Sequence, residues 1–356
     1  MATSNSSDPE IQCEYHSDTR MEQVFKLTAY FIILFGSLIG NVLVILVVVL
    51  NRHMRTVTNY LIVNMAVADL LVTAFNMPVT MKVIATRSMD WSATLCKVIP
   101  FTRSLSVASS VFTLAAISID RFLAIMFPLK RYVTFSIACI MIAVVWIVGI
   151  AVSSPIFYAM KIFFDEQAQK SYCLEIWTPV FTENAARDFT IVLFAAFYVL
   201  PLLTMSVLYS FLIHNLWVRK VPGVQTQANQ RRADRSKKKV LKMLLAVVVV
   251  FALSWLPLYI TQFLVFFGQE TFPCGAPTTL GFLGYFLGYA NSAINPAMYA
   301  VFNSHFRKGF RDLLLCRCRR NRIVPLVTQR EAVGTRGNTA LRPARNEILH
   351  SYNWAF

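Results

Sequence analysis

Long apolar runs alternate with short polar segments along this chain. Because a helix needs about 20 apolar residues to cross a bilayer, the pattern predicts an all-α integral membrane protein. The chain lacks the internal repeat of transporters built from duplicated halves. We expect a seven-transmembrane helix bundle, with spans at about residues 27–50, 58–84, 95–128, 132–159, 187–218, 238–268 and 276–303.

The composition supports a membrane protein. Of the 356 residues, 56% are hydrophobic and only 15% are charged, whereas about a quarter of a soluble domain is charged. A net charge of +16 would suit a nucleic-acid partner, but its distribution argues against one. Four stretches hold 23 of the 34 Lys and Arg residues, namely 51–57, 128–133, 217–239 and 304–356.

These basic stretches fall in alternate loops, which is the positive-inside pattern of membrane proteins. The N-terminal tail, residues 1–24, holds Arg20 against five acidic residues. The pattern therefore predicts a multi-pass plasma-membrane protein with an extracellular N-terminus. The tail is too polar for a cleavable signal peptide, and its Asn5-Ser6-Ser7 triplet makes Asn5 a candidate glycosylation site.

Each predicted span carries one short motif, and Cys96 stands at the outer end of the third span. In chain order the motifs are Gly40-Asn41, Asn64 to Asp69, Asp120-Arg121-Phe122, Trp146, Pro201 with Tyr209, Phe251 to Pro257, and Asn291 to Tyr299. Across residues 25–316 the chain resembles the rhodopsin-like (class A) family of G-protein-coupled receptors. The resemblance implies a receptor rather than an enzyme, with a heterotrimeric G protein, arrestin and receptor kinases as partners. A transporter or channel is the distant alternative.

In that family, residues along the spans transmit ligand binding to the cytoplasmic face. The resemblance implies that Asp120 holds Arg121 in the inactive state, and that the sixth span swings outward about Pro257. Arg121 could instead be a plain anchor at the membrane interface. The residues expected in this switch are Asp120, Arg121, Tyr209, Phe251, Trp255, Pro257, Asn295, Pro296 and Tyr299.

Three positions depart from the family pattern. Phe122 stands where Tyr is usual, and Ser254 stands where Cys is usual. Lys237 takes a place where some members have an acid that pairs with the third-span arginine. We therefore expect Arg121 to be held mainly by Asp120, and we expect altered basal activity at most.

Asp69 is an acid in the middle of an apolar span, where a charge is costly and usually functional. The resemblance implies that it binds a sodium ion, an allosteric ligand rather than a cofactor, because hard cations select oxygen ligands. The alternative is a neutral carboxyl that is hydrogen-bonded for packing. The implied ligands are Asp69, Ser110, Asn291, Ser292 and Asn295.

Four cysteines lie on the predicted outer side. The resemblance implies a disulfide between Cys96 and Cys173. Cys13 and Cys274 could form a second bridge, or both could remain free.

Residues 304–316 place their apolar side chains on one face, and they resemble the family's amphipathic eighth helix. The resemblance also implies palmitoylation of Cys316 and Cys318, which would anchor this helix to membrane lipid. The alternative is unmodified thiols at the start of a basic cytoplasmic tail, residues 317–356.

Arg103, about five turns above Arg121, bears on the ligand class. A cationic amine needs an acid at this position, so amine ligands are excluded. The seventh span has no Lys, which excludes a retinal protein. Residues 161–177 alternate apolar stretches with a polar turn, which predicts a β-hairpin. In the family such a hairpin is typical of peptide receptors.

Acidic residues at the outer rim above a basic floor suit a peptide with cationic side chains, whose C-terminal amide or carboxylate reaches Arg103. The neighbourhoods of the motifs resemble receptors of the neuropeptide Y, tachykinin and RFamide type. Two alternatives remain, a lipid or small carboxylate ligand, and an internal salt bridge from Arg103 to Glu175, Glu183 or Asp188. The candidate ligand-binding residues are Arg103, Glu175, Glu183, Trp255, Gln262 and Tyr285.

Overall fold

The computed structural model describes residues 18–86, 91–127, 129–130, 132–166, 170–218, 227–268 and 277–315. The predictions made for Asn5, Cys13, Cys274, Cys316 and Cys318, and for the tail 317–356, lie outside these residues. So does the side chain of Lys237.

The described part of the chain folds into α-helices and one hairpin. The helices are α1 (Arg20–Leu50), α2 (Val57–Leu71), α3 (Met77–Thr86), α4 (Ala93–Met126), α5 (Phe135–Ser153), α6 (Pro155–Ala159), α7 (Ala185–Phe194), α8 (Leu200–Val218), α9 (Gln227–Phe267), α10 (Thr278–Phe302) and α11 (Ser304–Leu314), and the strands are β1 (Met160–Asp165) and β2 (Lys170–Glu175).

These helices form seven spans and a short eighth helix, which confirms the predicted fold class. The first, third, sixth and seventh spans are α1, α4, α9 and α10. The second consists of α2 and α3, the fourth of α5 and α6, and the fifth of α7 and α8.

A π-helical turn interrupts the second and the fifth span. The turns cover Val72–Asn76 and Ala195–Val199, and Pro78 and Pro201 follow them. A proline ring clashes with the carbonyl four residues earlier and offers no N–H, so the backbone widens at that place. Both prolines therefore interrupt the regular α-helix of their spans.

The first helix begins at Arg20, before the span predicted at residue 27. A capping box starts it, because the Glu22 N–H donates to the Thr19 hydroxyl and the Thr19 N–H donates to the Glu22 carboxylate. The Gln23 side chain donates to the carbonyls of Ile84 and Ala85, at 2.6 and 2.8 Å. These bonds join the outer ends of the first and second spans.

The third span lies at the centre of the bundle, against the second, fourth and fifth spans. Small side chains allow this close packing. A Cβ at Gly149 would lie 3.1 Å from the Leu105 side chain, and one at Gly284 would lie 2.8 Å from the Leu258 backbone. The fourth span therefore packs closely on the third, and the seventh packs closely on the sixth.

Six of the described spans are both long and apolar enough to cross a membrane. The seventh, α10, has 25 residues but is more polar, because Asn291, Ser292 and Asn295 lie on its buried face. Large apolar side chains on the outside of the bundle, such as Ile147 and Leu253, are exposed. This distribution suits contact with lipid rather than with water.

The eighth helix, α11, packs its apolar face on the inner end of the bundle. Phe306 is fully buried, and its ring centroid lies 5.6 Å from that of Tyr299. Gly309 lies so close to the first span that an added Cβ would be 2.7 Å from a methyl of Val47. Basic residues occupy the opposite, exposed face, as the amphipathic pattern of 304–316 predicts.

Candidate functional site

A cavity of about 480 Å³ lies beneath the hairpin, between the third, fifth, sixth and seventh spans. Five of the six candidate ligand-binding residues line it together. They are Arg103, Glu175, Trp255, Gln262 and Tyr285. Glu183 does not line it and is exposed in the segment before α7.

The hairpin forms the outer wall of this cavity. Its strands are antiparallel with Ile162 opposite Cys173, which confirms the predicted hairpin. Cys173 is disulfide-bonded to Cys96, with the two Cα atoms 5.5 Å apart, as the family resemblance implies. The bond ties β2 to the outer end of α4, and Glu175, two residues after Cys173, lines the cavity.

The Glu175 side chain is held by an aromatic cluster. The Trp177 indole N–H donates to Glu175 Oε1 at 2.7 Å. Trp177 itself packs on Phe189, with ring centroids 5.0 Å apart, and its carbonyl accepts from the Tyr158 hydroxyl at 3.1 Å. Burial raises the pKa of Glu175 above its ordinary value, whereas the Trp177 donor and the charge of Arg103 act in the opposite direction.

Arg103 is half-buried at the cavity wall, with its guanidinium carbon 5.1 Å from the centroid of the Tyr285 ring. It interacts electrostatically with Glu175, but it makes no ion pair within the described ranges. Asp188, one candidate for an internal salt bridge, pairs with Arg187 at 3.0 Å instead. The guanidinium therefore faces a cavity that is mostly apolar, without a bonded counter-charge.

Sequence reasoning missed the aromatic wall of the cavity. Tyr259 lines it between Trp255 and Gln262, and the positions 255, 259 and 262 share one face of a helix. That spacing is a signal that could have identified Tyr259. Trp91 and Phe189 also line the cavity, and no sequence pattern singles them out.

A buried polar cluster surrounds Asp69 in the middle of the bundle. The Asp69 carboxylate accepts from Asn295 Nδ2 at 2.9 Å and from the Ser110 hydroxyl at 3.4 Å. Ser292 interacts with the same carboxylate. Asn291 is buried nearby on α10, and its side-chain oxygen has no hydrogen-bond partner in the described part of the chain.

At the end of the third span that lies away from the cavity, Asp120 and Arg121 form an ion pair. Arg121 donates from Nη2 and Nε to Asp120 Oδ2, at 2.7 and 3.0 Å. The pair is only partly exposed, with 20% of the Arg121 side chain and 6% of the Asp120 side chain accessible. Solvent screens it less than a surface pair, so it restrains Arg121.

The other switch residues lie along the inner half of the bundle. The Tyr209 hydroxyl and the Ser118 hydroxyl are 2.5 Å apart, and the Tyr299 hydroxyl lies 3.9 Å from the Met65 sulfur.

Within the sixth span, the rings of Phe251 and Trp255 are 6.3 Å apart. Gly288 of α10 lets the seventh span approach the Trp255 indole, since a Cβ there would lie 3.2 Å from it. Pro257 stands within α9, two residues after Trp255. Pro296 of α10 packs on the first span at Gly40.

Comparison with known proteins identifies relatives of the whole bundle. Residues 40–299 match the family model described as the seven-transmembrane receptor of the rhodopsin family. The neuropeptide FF receptor 2 of Rattus norvegicus is 33% identical over 80% of this chain and 71% of its own length. The QRFP-like peptide receptor of Branchiostoma floridae is 34% identical over 84% and 79% of the two chains. The RYamide receptor of Drosophila melanogaster is 34% identical over 82% and 64%.

The family model covers more than half of the chain, and its match includes the third-span Asp120-Arg121 and the seventh-span Asn295-Pro296 positions. Together with the apolar spans, this match establishes a multi-pass plasma-membrane protein. The chain belongs to the rhodopsin family of seven-transmembrane, G-protein-coupled receptors.

Proposed function

We propose that the chain is a receptor for an extracellular neuropeptide, and that it signals to a heterotrimeric G protein by outward movement of the sixth span. The observation that carries this proposal is Arg103, a guanidinium at the wall of the cavity without an ion-pair partner among the described residues. The relatives reported above are named as receptors for neuropeptide FF, QRFP-like and RYamide peptides.

The charges of the cavity suit the end of a peptide. Arg103 offers hydrogen-bond donors for a C-terminal amide or carboxylate. Glu175, held by Trp177, offers an acceptor for a cationic side chain. Tyr259, Phe189 and Leu193 supply an apolar wall of the kind on which an aromatic side chain would pack.

The floor of the cavity connects ligand binding to the cytoplasmic end. Trp255 lines the cavity, packs on Phe251 below it and lies two residues before Pro257. A ligand that fits only one arrangement of these rings shifts the equilibrium toward that arrangement. The sixth span then moves its inner end, and Arg121 leaves Asp120 to meet the G protein.

The polar cluster around Asp69 suits a sodium ion. Asp69, Ser110 and Ser292 offer oxygens, and the side-chain oxygen of Asn291, which has no hydrogen-bond partner among the described residues, would be a further ligand. Hard cations select such oxygen ligands. A bound sodium ion would hold the seventh span against the second and third, which stabilises the inactive arrangement.

Sodium dependence tests this site directly. Agonist affinity is measured in sodium chloride and in choline chloride at equal ionic strength. We expect sodium to lower the affinity of the parent protein and to leave that of Asp69→Asn unchanged. A parent protein whose affinity ignores sodium would contradict the site.

A peptide screen tests the receptor function. Purified receptor in lipid nanodiscs is combined with a heterotrimeric G protein, and nucleotide exchange is followed while amidated peptides and their free-acid forms are added. We expect one peptide class to speed exchange in the parent protein and to fail with Arg103→Ala. A response that Arg103→Ala leaves unchanged would refute the role of Arg103 in anchoring the peptide.

Nucleotide exchange, measured together with ion currents and solute uptake, distinguishes the alternative functions. Exchange evoked by lipids or small carboxylates, but by no peptide, would favour a receptor for those ligands. Ion currents or solute uptake without nucleotide exchange would favour a channel or transporter.

Orientation and modification complete the proposal. We infer an extracellular N-terminus glycosylated at Asn5, and palmitoylation of Cys316 and Cys318. Cys13 and Cys274 either form a second bridge or both remain free. Glycosidase treatment of intact cells should shift the mass of the parent protein and not that of Asn5→Gln. Arrestin and receptor kinases would act on the cytoplasmic tail after activation.

A further inference from the structure

The Asp120–Arg121 pair has a third member on the second span. The Thr58 hydroxyl donates to Asp120 Oδ2 at 2.7 Å, and it accepts a hydrogen bond from Arg121 Nη2. One hydroxyl can do both, because it holds one proton and two lone pairs. The three side chains therefore form a closed cycle, with each bonded to the other two.

The first intracellular turn holds Thr58 in place. Thr56 caps α2 by accepting from the Asn59 N–H at 3.3 Å. The Asn59 side chain donates to the Met54 carbonyl at 2.7 Å, in the 3₁₀ turn Arg52–Met54. Thr58 lies between these two anchored residues, so its backbone is fixed on the side that faces the third span.

Thr58 is also the only described link from this ion pair to another span. Among the side chains that the structure describes, which on the sixth span are those from Leu241 onward, none on that span forms a hydrogen bond or ion pair with Asp120 or Arg121. Lys237 in that span is a cation rather than an acid. A restraint that some relatives obtain from an acid on the sixth span must here come from elsewhere.

We infer that Thr58 is a positioning residue of the switch, whose hydroxyl holds the Asp120–Arg121 pair against the second span and keeps Arg121 from the G protein. This inference rests on the proposed function. It makes the first intracellular turn part of the switch, because movement of that turn would carry Thr58 away from Arg121.

Four variants and a matched control test the inference. Thr58→Val removes the hydroxyl and keeps the shape of the side chain, while Thr58→Ser keeps the hydroxyl. Thr204→Val is the control, because Thr204 is half-buried like Thr58, but its hydroxyl donates to the Leu200 carbonyl of its own helix and, among the described residues, to no other group. Asp120→Asn, alone and combined with Thr58→Val, shows whether the two residues act together.

Two ligand-free readouts are compared. The first is basal nucleotide exchange by a G protein, and we expect Thr58→Val to raise it about fivefold, while Thr58→Ser and Thr204→Val stay near the parent rate. The second is hydrogen–deuterium exchange at residues 57–61 and 117–126, which needs no G protein and should speed up in Thr58→Val alone among the threonine variants. The double variant should not exceed Asp120→Asn, because both changes break the same cycle.

A purely structural role gives a different result. A Thr58→Val variant that only folds poorly would lower cell-surface level and maximal response without raising basal activity, and that result overturns the inference. So does a parent-like Thr58→Val beside an activated Asp120→Asn. If no peptide ever evokes exchange, the proposed function fails, and the hydrogen–deuterium exchange still decides the role of Thr58.

Discussion

The third span carries two arginines whose surroundings are opposite. Arg103, near the outer end, faces a cavity, lies over the Tyr285 ring and has no ion pair in the described part of the chain. Arg121, near the inner end, is bonded to Asp120 and Thr58. Both are half-buried cations on one helix, so the difference lies in their partners and not in their depth.

This contrast shows how one helix can serve two purposes. A half-buried charge without an ion-pair partner is costly, and a ligand that supplies a bonded acceptor reduces that cost. A charge that already has its partner gains nothing from a new one until the first is lost. We therefore expect changes at Arg103 to alter ligand affinity and changes around Arg121 to alter basal activity.

The largest effect is expected at Arg103. Arg103→Ala should weaken peptide potency about 100-fold, or about 3 kcal/mol, which is in the range of a hydrogen bond to a charged group. Arg103→Lys should retain part of the potency, because it keeps the charge but loses the paired donors and the planar stacking group. The measurement is a concentration–response curve for nucleotide exchange.

Arg187→Ala is the matched control for Arg103. Arg187 also lies near the outer surface, but it forms an exposed pair with Asp188, and such pairs contribute little. Its potency should stay near that of the parent protein. Equal losses from the two variants would show that general surface charge, and not a contact in the cavity, sets peptide potency.

The inner arginine should behave in the opposite way. Asp120→Asn weakens an ion pair that is largely hidden from solvent, so we expect basal exchange to rise about tenfold. Peptide affinity should change by much less, and in the direction of tighter binding, because an active receptor binds agonist better. Asp188→Asn is the control. Basal exchange that stays at the parent rate in Asp120→Asn would mean that the pair does not restrain the switch.

The sequence predicted the fold well, because hydropathy and short motifs can both be read from neighbouring residues without knowledge of contacts between distant parts of the chain. Apolar length identified the spans, and Pro78 and Pro201 lie just after the two π-helical turns. Thr58 was missed although it stands in the second predicted span. Its bond to Asp120 depends on how α2 is rotated against α4, and the periodicity of neither helix determines that rotation.

The candidate site shows the same division between local and tertiary information. Glu175 and Glu183 are two acids of one outer segment, and sequence alone treated them alike. The disulfide and the hairpin register direct Glu175 toward the cavity, while Glu183 is exposed. Only a contact between distant parts of the chain, the Cys96–Cys173 disulfide, shows which of these two acids lines the cavity.

Glu175 is the anionic counterpart of Arg103, and its titration gives a smaller effect. If the carboxylate holds a cationic side chain of the peptide, affinity is full above the pKa of Glu175 and falls as the pH drops through it. Because burial raises this pKa, the loss should begin at a higher pH than for an ordinary glutamate. We expect Glu175→Gln to lower affinity about tenfold at neutral pH and to remove that acid-side loss.

Glu183→Gln is the control for this titration. Its side chain is exposed and does not line the cavity, so the pH profile of peptide binding should match that of the parent protein. A profile that Glu175→Gln leaves intact would assign the titration to another group and would place the cationic part of the peptide elsewhere.

The smallest effect is expected at Tyr285, which sharpens the account of Arg103. A guanidinium over an aromatic face gains about 0.5–1 kcal/mol at a partly exposed site, so Tyr285→Leu should lower peptide potency only about three- to fivefold. Tyr285→Phe keeps the ring and should stay near the parent value. Concentration–response curves for nucleotide exchange measure both. A large loss in Tyr285→Phe would instead assign the effect to the hydroxyl, and Tyr285 would then be a direct hydrogen-bond partner of the peptide rather than a support that orients Arg103.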